Sequence, residues 1–234
     1  MTATVVSWSG GKDAAYALYT LEGTDADVVE LLTTVSAEFD RSSMHGVRRS
    51  LYERQAAAVG IPINCVFLPP EPTNEAYDEV MAEIMEHYRE RGVRRVVFGD
   101  LCLEDIRAYR EDRLSETGVD GHWPIWGRDT TEFAQEFLDA GFEAIVVTVD
   151  GERLGESFAG RAYDESFLAD LPADVDPAGE NGEFHTFVRD GPIFDEPVAV
   201  EIGETVARPV GDGEYFFTDL LPVDDESRET DYGE

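Results

Sequence analysis

Lysine is almost absent from the sequence, since Lys12 is the only one among 18 basic residues. Cysteine is nearly as scarce: Cys65 and Cys102 are the only two, with no CxxC pair and no histidine at ligand spacing. This excludes a disulfide framework and a cysteine-type zinc site, and predicts two buried thiols of an intracellular protein. No apolar run approaches the roughly 18 residues of a membrane span, and no signal peptide is visible. We therefore expect a soluble, cytoplasmic protein without a membrane partner.

An excess of positive charge is absent as well. The chain has 51 acidic residues against 18 basic ones, a formal net charge of −33 that is spread over its whole length. An even distribution indicates a solvated acidic surface, whereas a charged tail would indicate an interaction arm. With so little lysine, such a surface is typical of adaptation to high salt, where charge repulsion is screened over roughly 3 Å at 1 M. The composition argues against a nucleic-acid partner, which needs a basic footprint.

Short apolar runs rich in valine and isoleucine alternate with helical patterns over the first 150 residues. The runs predict strands at 3–8, 27–35, 63–68, 94–100 and 142–150. The patterns between them predict helices at about 13–22, 47–59, 73–91, 104–117 and 130–140. Strands separated by helices of this length form crossover units. The predicted fold class is therefore α/β, with a five-stranded parallel sheet covered by helices on both faces, and we assign residues 1–150 to this first domain.

The composition changes after Asp150, where Gly, Pro and Asp are frequent and no long helical pattern follows. Short alternating runs, such as PVAVEIGETVARPV and GEYFFTDL, predict small strands. We expect a smaller C-terminal α+β domain over residues 151–222. Residues 223–234 are polar and acidic and are predicted to form a flexible tail.

The segment SWSGGKDAAY (7–16) joins the first predicted strand to the first predicted helix. A loop at the carboxyl end of a parallel strand is where such sheets bind ligands, and the helix N-terminus offers unpaired N–H groups to an anion. Ser9, Gly10 and Gly11 allow close backbone approach, and Lys12 adds a mobile cation, a compact charge that can follow a phosphate through reaction. The spacing matches neither the dinucleotide fingerprint nor the Walker loop. It predicts a phosphate-binding loop of another type.

The letters SGGKDA resemble the S-G-G-x-D-[SA] signature of the PP-loop pyrophosphatases, which cleave ATP to AMP and pyrophosphate. Four more blocks narrow the resemblance to the diphthine–ammonia ligase family: MHGV (44–47), VVFGDLCLEDIRAYRED (96–112), PIWGRDTTEFAQEFLDAGFEAIVVTV (124–149) and GENGEFHTFVRDGPIF (179–194). The resemblance covers about residues 1–195, and the type of the family that the chain resembles is that of archaeal halophiles. It implies a Rossmann-like, HUP-type first domain that binds ATP and a second domain that binds substrate. Ala14 departs from the serine often found there, which removes one hydroxyl donor to phosphate.

Further positions of interest lie at the carboxyl end of the fourth predicted strand and in the segments that follow it. Gly99 permits close ligand approach, and Asp100 is a candidate to hold magnesium or orient a substrate nitrogen, with a helix cap as the alternative. Arg107 and Arg110 on the next helix are candidates for contacting pyrophosphate or a substrate carboxylate, with a solvated salt-bridge face as the alternative. Trp126 either walls the cleft or packs on the core.

The segment GENGEFHTF (179–187) is the hardest to explain as scaffold. Its dense polar groups are candidates to bind ammonia or ammonium, to deprotonate it and to position an acyl acceptor, with a stabilised turn as the alternative. Glu183 is the first candidate for this chemistry, followed by Glu180 and His185.

The resemblance groups the candidate residues by role. The catalytic candidates are Lys12, Asp13, Asp100 and Glu183, and those for Mg²⁺ are Asp13 and Asp100. The candidates for binding ATP are Ser7, Ser9, Gly10, Gly11, Lys12, Asp13, Val35, Met44, His45, Gly99 and Asp100. Within that set, Met44 is expected to pack on adenine and His45 to bond to the adenosine, with a structural histidine as the alternative. The candidates for binding substrate are Arg107, Arg110, Trp126, Glu180, Asn181, Gly182, Glu183, His185 and Thr186.

The resemblance implies ATP-dependent amidation of diphthine, a modified histidine of translation elongation factor 2, with ATP and Mg²⁺ as cofactors. The diphthine carboxylate attacks the α-phosphate, pyrophosphate leaves, and ammonia then displaces AMP from the acyl adenylate. No glutaminase-like cysteine is visible, so free ammonia or ammonium is the expected nitrogen source. Two alternatives stay open: a related enzyme that adenylates or amidates another carboxylate, for example in cobalamin salvage, and a nucleotide-binding protein without catalysis. The sequence leaves the oligomeric state open, a homo-oligomer included.

Overall fold

A parallel sheet forms one layer of the structure, a computed structural model that describes residues 1–42, 44–69, 73–211 and 213–223. Its strand order is β3-β2-β1-β4-β5, and every neighbouring pair is parallel. The strands are β1 (Thr2–Ser7), β2 (Ala26–Ser36), β3 (Ile63–Leu68), β4 (Arg95–Val97) and β5 (Asp120–His122). The predicted α/β class is thus confirmed. Because β1 lies between β2 and β4, a crevice opens beyond the carboxyl ends of β1 and β4, where doubly wound sheets bind ligands.

Helices cover both faces of this sheet, as predicted, and all five predicted helices are present with slightly different ends. They are α1 (Lys12–Tyr19), α2 (Arg49–Val59), α3 (Asn74–Glu90), α4 (Glu104–Leu114) and α5 (Thr130–Asp139). Successive strand residues point to opposite faces. Val5 and Val96 accordingly pack in one apolar cluster with side chains of α3, whereas Val6 and Val97 join a second cluster with α1 and α2.

A second, antiparallel sheet packs on the α1 and α5 side of the first, and the smaller second unit predicted at the C-terminal end is confirmed. Its order is β7-β6-β10-β9, and β8 also pairs with β6. The strands are β6 (Glu143–Asp150), β7 (Ala162–Tyr163), β8 (Phe184–Asp190), β9 (Val200–Val210) and β10 (Gly213–Pro222), with a 3₁₀ turn at Glu156–Phe158 and helix α6 (Glu165–Asp170). Apolar side chains of β6 and β8 share one cluster with those of α1 and α5. The predicted acidic tail lies outside the described residues after Val223.

The prediction that residues 142–150 form the fifth parallel strand is wrong. This segment is β6, which pairs antiparallel with β7, β8 and β10 in the second sheet. The fifth parallel strand is β5, which has only three residues and pairs with β4. A strand that is buried on both faces has the same apolar pattern in either kind of sheet, so the pattern could not identify its partners. The boundary predicted at residue 150 falls at the end of a strand of the second sheet, and the division into domains stays a prediction.

Local sequence accounts for where two of the helices begin. Thr73 precedes α3, and its hydroxyl oxygen accepts a hydrogen bond from the N–H of Ala76 at 3.2 Å. Asp129 precedes α5, and its carboxylate accepts from the N–H groups of Thr131 and Glu132. Such caps satisfy N–H groups that the first helical turn leaves unpaired. Within the described ranges, no helix combines the length and the apolar character needed to cross a membrane.

Candidate active site

A cleft of about 840 Å³ opens at the carboxyl ends of β1 and β4. Its walls come from the glycine-rich loop and α1, from residues 44–45 before α2, from the start of α4, and from the segment that leads into β8. Most of the predicted site residues line it: Ser7, Ser9, Lys12, Asp13, Met44, His45, Gly99, Asp100, Arg110, Glu180, Asn181, Gly182, His185 and Thr186. The second sheet therefore closes the site that the first sheet opens.

The glycine-rich loop is fixed by contacts on both sides. Gly10 has a φ of 71°, and a Cβ at this position would lie 2.6 Å from Gln55 Oε1 and 2.7 Å from the Tyr52 ring. Its carbonyl oxygen accepts hydrogen bonds from Gln55 Nε2 at 3.0 Å and from the N–H of Val188 at 2.8 Å. Only glycine fits a left-handed position this crowded. The loop is thus held in shape by α2 and β8 without any ligand.

Lys12 is the first residue of α1, and it is only 3% exposed. Its Nζ donates to both carboxylate oxygens of Asp13, at 2.8 and 3.0 Å. The same Nζ lies 5.7 Å from the centre of the Phe184 ring and 5.9 Å from that of Phe133. The predicted mobile cation is therefore a buried and paired one, which still lines the cleft. The N–H of Lys12 donates to Thr186 Oγ1 at 3.0 Å, which ties α1 to β8.

Asp13, in the first turn of α1, and Asp100, which follows β4, face the same cleft. Burial raises the pKa of Asp13, and the charge of Asp100 acts in the same direction, while Lys12 opposes both. Asp100 Oδ2 accepts from Arg110 Nη1 at 2.8 Å and from Trp123 Nε1 at 2.9 Å. Since α4 begins at Glu104 with Leu103 as its N-cap residue, Asp100 does not cap that helix.

Gly99 brings these two acidic groups together. A Cβ on Gly99 would lie 2.7 Å from the carbonyl carbon of Asp13 and 2.8 Å from the nitrogen of Ala14. The missing side chain therefore lets the end of β4 pack on the first turn of α1. We predicted Gly99 to permit close approach of a ligand, and the observed close approach is that of the protein backbone.

Two half-buried histidines form a pair beside the loop. The rings of His45 and His185 have centres 4.5 Å apart and planes inclined by 40°. Burial lowers the pKa of both, that of His185 to about 4, and the charge of Lys12 adds to the effect. Both imidazoles are therefore neutral at neutral pH. His185 Nε2 is buried without a hydrogen-bond partner among the described residues, so it is available to a group that enters the cleft.

Glu180 is a carboxyl group of the cleft whose pKa is raised to near neutrality. Burial raises its pKa to about 7 and the charge of Asp13 contributes, while Lys12 and hydrogen bonds from the Leu101 N–H and the Cys102 thiol oppose the rise. Cys102 Sγ lies 3.7 Å from Glu180 Oε2. A carboxyl group with this pKa can both accept and release a proton at neutral pH.

Glu183 does not line the cleft, although the sequence made it the first candidate there. It is 1% exposed, and its carboxylate accepts from the N–H of Asp176, the N–H of Asn181 and the side-chain amide of Asn181, at 2.9–3.1 Å. Burial alone would raise the pKa of Glu183, but these hydrogen bonds outweigh it and lower the value. The ionised carboxylate holds the turn that presents Glu180, and Glu180 is the one of the two glutamates that lines the cleft.

Five other candidates lie behind or beside the cleft. Val35 is 1% exposed and belongs to the apolar core. Arg107 stacks over the rings of Trp123 and Trp126, at 4.8 and 4.7 Å, and pairs with Glu111 on the same helix. Arg107 and Trp126 therefore form a stack outside the cleft. Gly10 and Gly11 shape the loop, and a Cβ on Gly11 would lie 3.1 Å from the Thr186 carbonyl oxygen.

Several residues that line the cleft were not among the predicted site residues. They are Ala14, Cys102, Leu103, Glu104, Asp105, Ile106, Gly179, Phe184 and Tyr215. Cys102 is exposed and Cys65 is half-buried, so the prediction of two buried thiols is wrong. The residues from 102 to 106 follow Gly99 and Asp100 directly, and that proximity was the signal that could have found them. Tyr215 comes from β10, and no local pattern connects it to the loop.

Models of two protein domains match the chain. Residues 2–120 match the diphthamide synthase N-terminal domain, and residues 129–211 match the diphthamide synthase C-terminal domain. Together the two matches cover well over half of the sequence.

Individual proteins resemble the chain over most of its length. A diphthine–ammonia ligase of Danio rerio is 25% identical over 222 residues, which cover 85% of this chain and 86% of that protein. A diphthine–ammonia ligase of Bos taurus is 24% identical over 220 residues, which cover 85% of this chain and 82% of that protein. A solved structure from Methanocaldococcus jannaschii, described as a predicted subunit of tRNA methyltransferase, is 15% identical. It covers 62% of this chain and 80% of its own, with a TM-score of 0.40.

Proposed function

The chain belongs to the diphthamide synthase family, which makes it an ATP-dependent ligase, and from this premise we propose that it converts diphthine on translation elongation factor 2 to diphthamide with ammonia. The observation that carries the proposal is the cleft itself. It joins a rigid glycine-rich loop at the N-terminus of α1 to Glu180, whose pKa is raised to about 7. One wall is suited to phosphates and the other to proton transfer.

The loop would hold the phosphates of ATP. Its amides and the N-terminus of α1 present N–H groups and a partial positive charge, and Lys12 adds a full charge. Ala14 offers no hydroxyl, so the backbone and Lys12 carry this contact. Met44 and His45, on the next wall, would contact the adenosine. The neutral imidazole of His45 would donate or accept a hydrogen bond without adding charge. Phosphate would compete with Asp13 for the Lys12 ammonium.

The reaction would proceed in two steps. A carboxylate oxygen of diphthine attacks the α-phosphorus of ATP, the bond to the β-phosphate oxygen breaks, and pyrophosphate leaves with its electron pair. Ammonia then attacks the acyl carbon, AMP leaves, and one proton is lost from nitrogen as the amide forms. Glu180 is placed to accept that proton, while the loop stabilises negative charge at the α-phosphate. Holding both substrates in one cleft adds the gain from proximity.

The charge of the cleft fits Mg²⁺ as a companion of ATP. Five carboxyl groups line it against two basic side chains, and these carboxyl groups belong to Asp13, Asp100, Glu104, Asp105 and Glu180. In the part of the chain that the structure describes, no three His, Cys, Asp or Glu side chains are arranged to hold a metal. Mg²⁺ commonly binds one or two carboxylates together with substrate phosphates. Asp13 and Asp100 would supply these, and the ion would neutralise phosphate charge.

Release of AMP tests this proposal directly. Purified protein is incubated with ATP, Mg²⁺, ammonium and elongation factor 2 that carries diphthine, and AMP, pyrophosphate and the mass of the factor are measured. We expect AMP and pyrophosphate in equal amounts, and a factor whose mass changes by the replacement of a hydroxyl by an amino group. Omission of the factor or of ammonium should abolish amide formation. Without AMP above background in the full mixture, the diphthine assignment fails.

A further inference from the structure

Residues 44–48 carry Met44 and His45 into the cleft, yet they lie before α2 without belonging to any helix or sheet strand. His45 must nevertheless be held within reach of His185 for the ring pair to form. Hydrogen bonds between Ser42 and residues 46 and 47 close a local turn at 3.0 Å, and the other contacts that hold the segment come from the second sheet.

Asp219 on β10 binds Arg41, which precedes this segment, and Arg48, which is its last residue. Its carboxylate accepts from Arg48 Nη2 at 2.6 Å, from Arg48 Nε at 3.1 Å and from Arg41 Nη1 at 2.8 Å. Burial alone would raise the pKa of Asp219, but the hydrogen bonds from the two guanidinium groups lower it to about 2. We call Asp219, Arg41 and Arg48 the Asp219 clamp. Its carboxylate is fully charged throughout the neutral range.

The clamp reaches the backbone next to His45. The same Arg41 Nη1 that binds Asp219 also donates to the carbonyl oxygen of Gly46 at 2.8 Å. Gly46 has a φ of 65°, and a Cβ there would lie 2.9 Å from the Phe217 ring of β10. One guanidinium group thus connects the strand to the residue that follows His45, and the chain turns back against β10 at that residue.

A second contact fixes the other side of His45. Thr148 of β6 is buried, and its hydroxyl lies 3.2 Å from both the Met44 and the His45 carbonyl oxygens, positioned to donate to them. With the backbone held at 44, 45 and 46, the His45 ring meets His185 of β8 at 4.5 Å. Strands β6, β8 and β10 therefore all take part in placing a single ring of the cleft.

We propose that Asp219 is a positioning residue, which holds His45 in the nucleotide-binding cleft through Arg41 and Arg48. The residue lies outside the range 129–211 that matches the family domain, and its side chain does not line the cleft. The part of the proposal that concerns ATP rests on the proposed function. The part that concerns the place of His45 rests only on the contacts described above.

The test is Asp219→Asn, compared with Glu143→Gln as a matched control. Glu143 pairs with Arg189 on the same sheet at 2.8 Å, and it is exposed and remote from the cleft. The chain has four histidines, so their ring signals can be assigned by NMR. We expect the His45 and His185 signals to move in Asp219→Asn, those of His87 and His122 to stay, and all four to stay in the control.

Nucleotide affinity is the second readout. If loss of the clamp leaves the cleft-facing position of His45 populated about a tenth of the time, the Kd for ATP rises about 10-fold. A role in stability alone would lower Tm and leave the ring signals and the Kd of the folded protein unchanged, and that result would overturn the proposal. The ring signals are recorded without nucleotide, so a wild-type protein that binds no ATP would overturn only the proposed function. Should Asp219→Asn not fold, Arg41→Gln replaces it, because Arg48 then still binds the β10 carboxylate.

Discussion

At the scale of single residues, Lys12 shows how composition and structure complement each other. Lys12 is the only lysine among 18 basic residues, which indicates that arginine does not replace it at this position. The structure supplies a steric reason, since the ammonium group is buried between the Phe133 and Phe184 rings and bonded to both Asp13 oxygens. A planar guanidinium is larger and directs its N–H groups in a fixed fork, which does not fit this space.

Lys12→Arg should therefore lose adenylation while the fold survives. We expect AMP release to fall by at least about 100-fold, the loss typical for one misplaced charge-stabilising donor, and far-UV circular dichroism to stay unchanged. Arg95→Lys is the matched control, because Arg95 pairs with Asp25 at the opposite end of the strands and its exchange should leave AMP release intact. Wild-type AMP release by Lys12→Arg would contradict the steric argument.

Glu180 allows a test of the proton-transfer step. The base must be ionised to accept a proton, and its pKa is raised to about 7. At constant free ammonia, the rate of amide formation should therefore rise with pH through about 7 and then level off. In Glu180→Gln the pH profile should lack this inflection, and the rate of amide formation should fall about 100-fold. ATP–pyrophosphate exchange, which reports adenylation alone, should persist. An unchanged pH profile in the variant would assign the proton to another group.

At the scale of elements, the sequence predicted what local periodicity encodes. The helices and the first four strands follow from alternating apolar runs, and the cleft follows from the glycine-rich loop after β1. β5 escaped prediction because its residues, Asp120–His122, form a short polar strand whose only signal is its pairing with β4. β6 was visible as a strand but not as a member of the second sheet, because burial on both faces carries no information about partners.

Some residues of the site lie in short local motifs, whereas others come from strands that are distant along the chain. Glu180 and Glu183 lie in one motif three residues apart, and a turn with Gly182 at a φ of 85° sends only the first into the cleft. Tyr215 lines the cleft and Asp219 holds the segment before α2, and the pairing of β10 with β6 and β9 brings both residues to these places. No spacing along the chain relates them to the loop. Long-range pairing is the part of this site that one sequence does not reveal.

The turn before β8 should depend on Glu183 for stability. Glu183→Gln replaces an ionised acceptor of backbone N–H groups by an amide that also carries N–H donors, so we expect the free energy of unfolding to fall by about 2 kcal/mol at pH 7. Because the pKa of Glu183 is lowered on folding, its contribution is present above the unfolded value of 4.5 and is lost as the pH falls through the lower folded value.

Chemical denaturation at pH 7 and below pH 4 measures this difference. The gap between wild type and Glu183→Gln should shrink once the pH falls below the folded pKa of Glu183, which is lower than 4.5, because the wild-type carboxylate then becomes protonated. Glu201→Gln, an exposed glutamate on β9, should match wild type at both pH values. A variant that is as stable as wild type but inactive would show that Glu183 serves the chemistry instead.

At the scale of the whole molecule, charge is the dominant feature. The 51 acidic residues exceed the 18 basic ones by 33, so most carboxylates have no cation available to them. Two carboxylates near the site do have arginine partners. Asp219 binds two arginines, and Asp100 binds one. The remaining surface carboxylates repel one another, and this repulsion destabilises the compact state.

Stability should therefore rise with salt. Between 0.1 M and 1 M KCl the screening length falls from about 10 Å to about 3 Å, which removes most repulsion between surface carboxylates. We expect the free energy of unfolding to increase by at least about 2 kcal/mol, which raises Tm by roughly 4–8 °C for a chain of this size. Most of the rise should occur below about 1 M, because screening beyond that range adds little.

Thermal unfolding in a KCl series measures this effect, with sucrose at matched osmolality as the control that leaves charges unscreened. The Asp219 clamp should persist in the same series, because its carboxylate is three-quarters buried and bound by two guanidinium groups. The His45 and His185 ring signals should accordingly stay constant while Tm rises. A Tm that rises no more in KCl than in sucrose would show that surface repulsion is not what limits the stability of this protein.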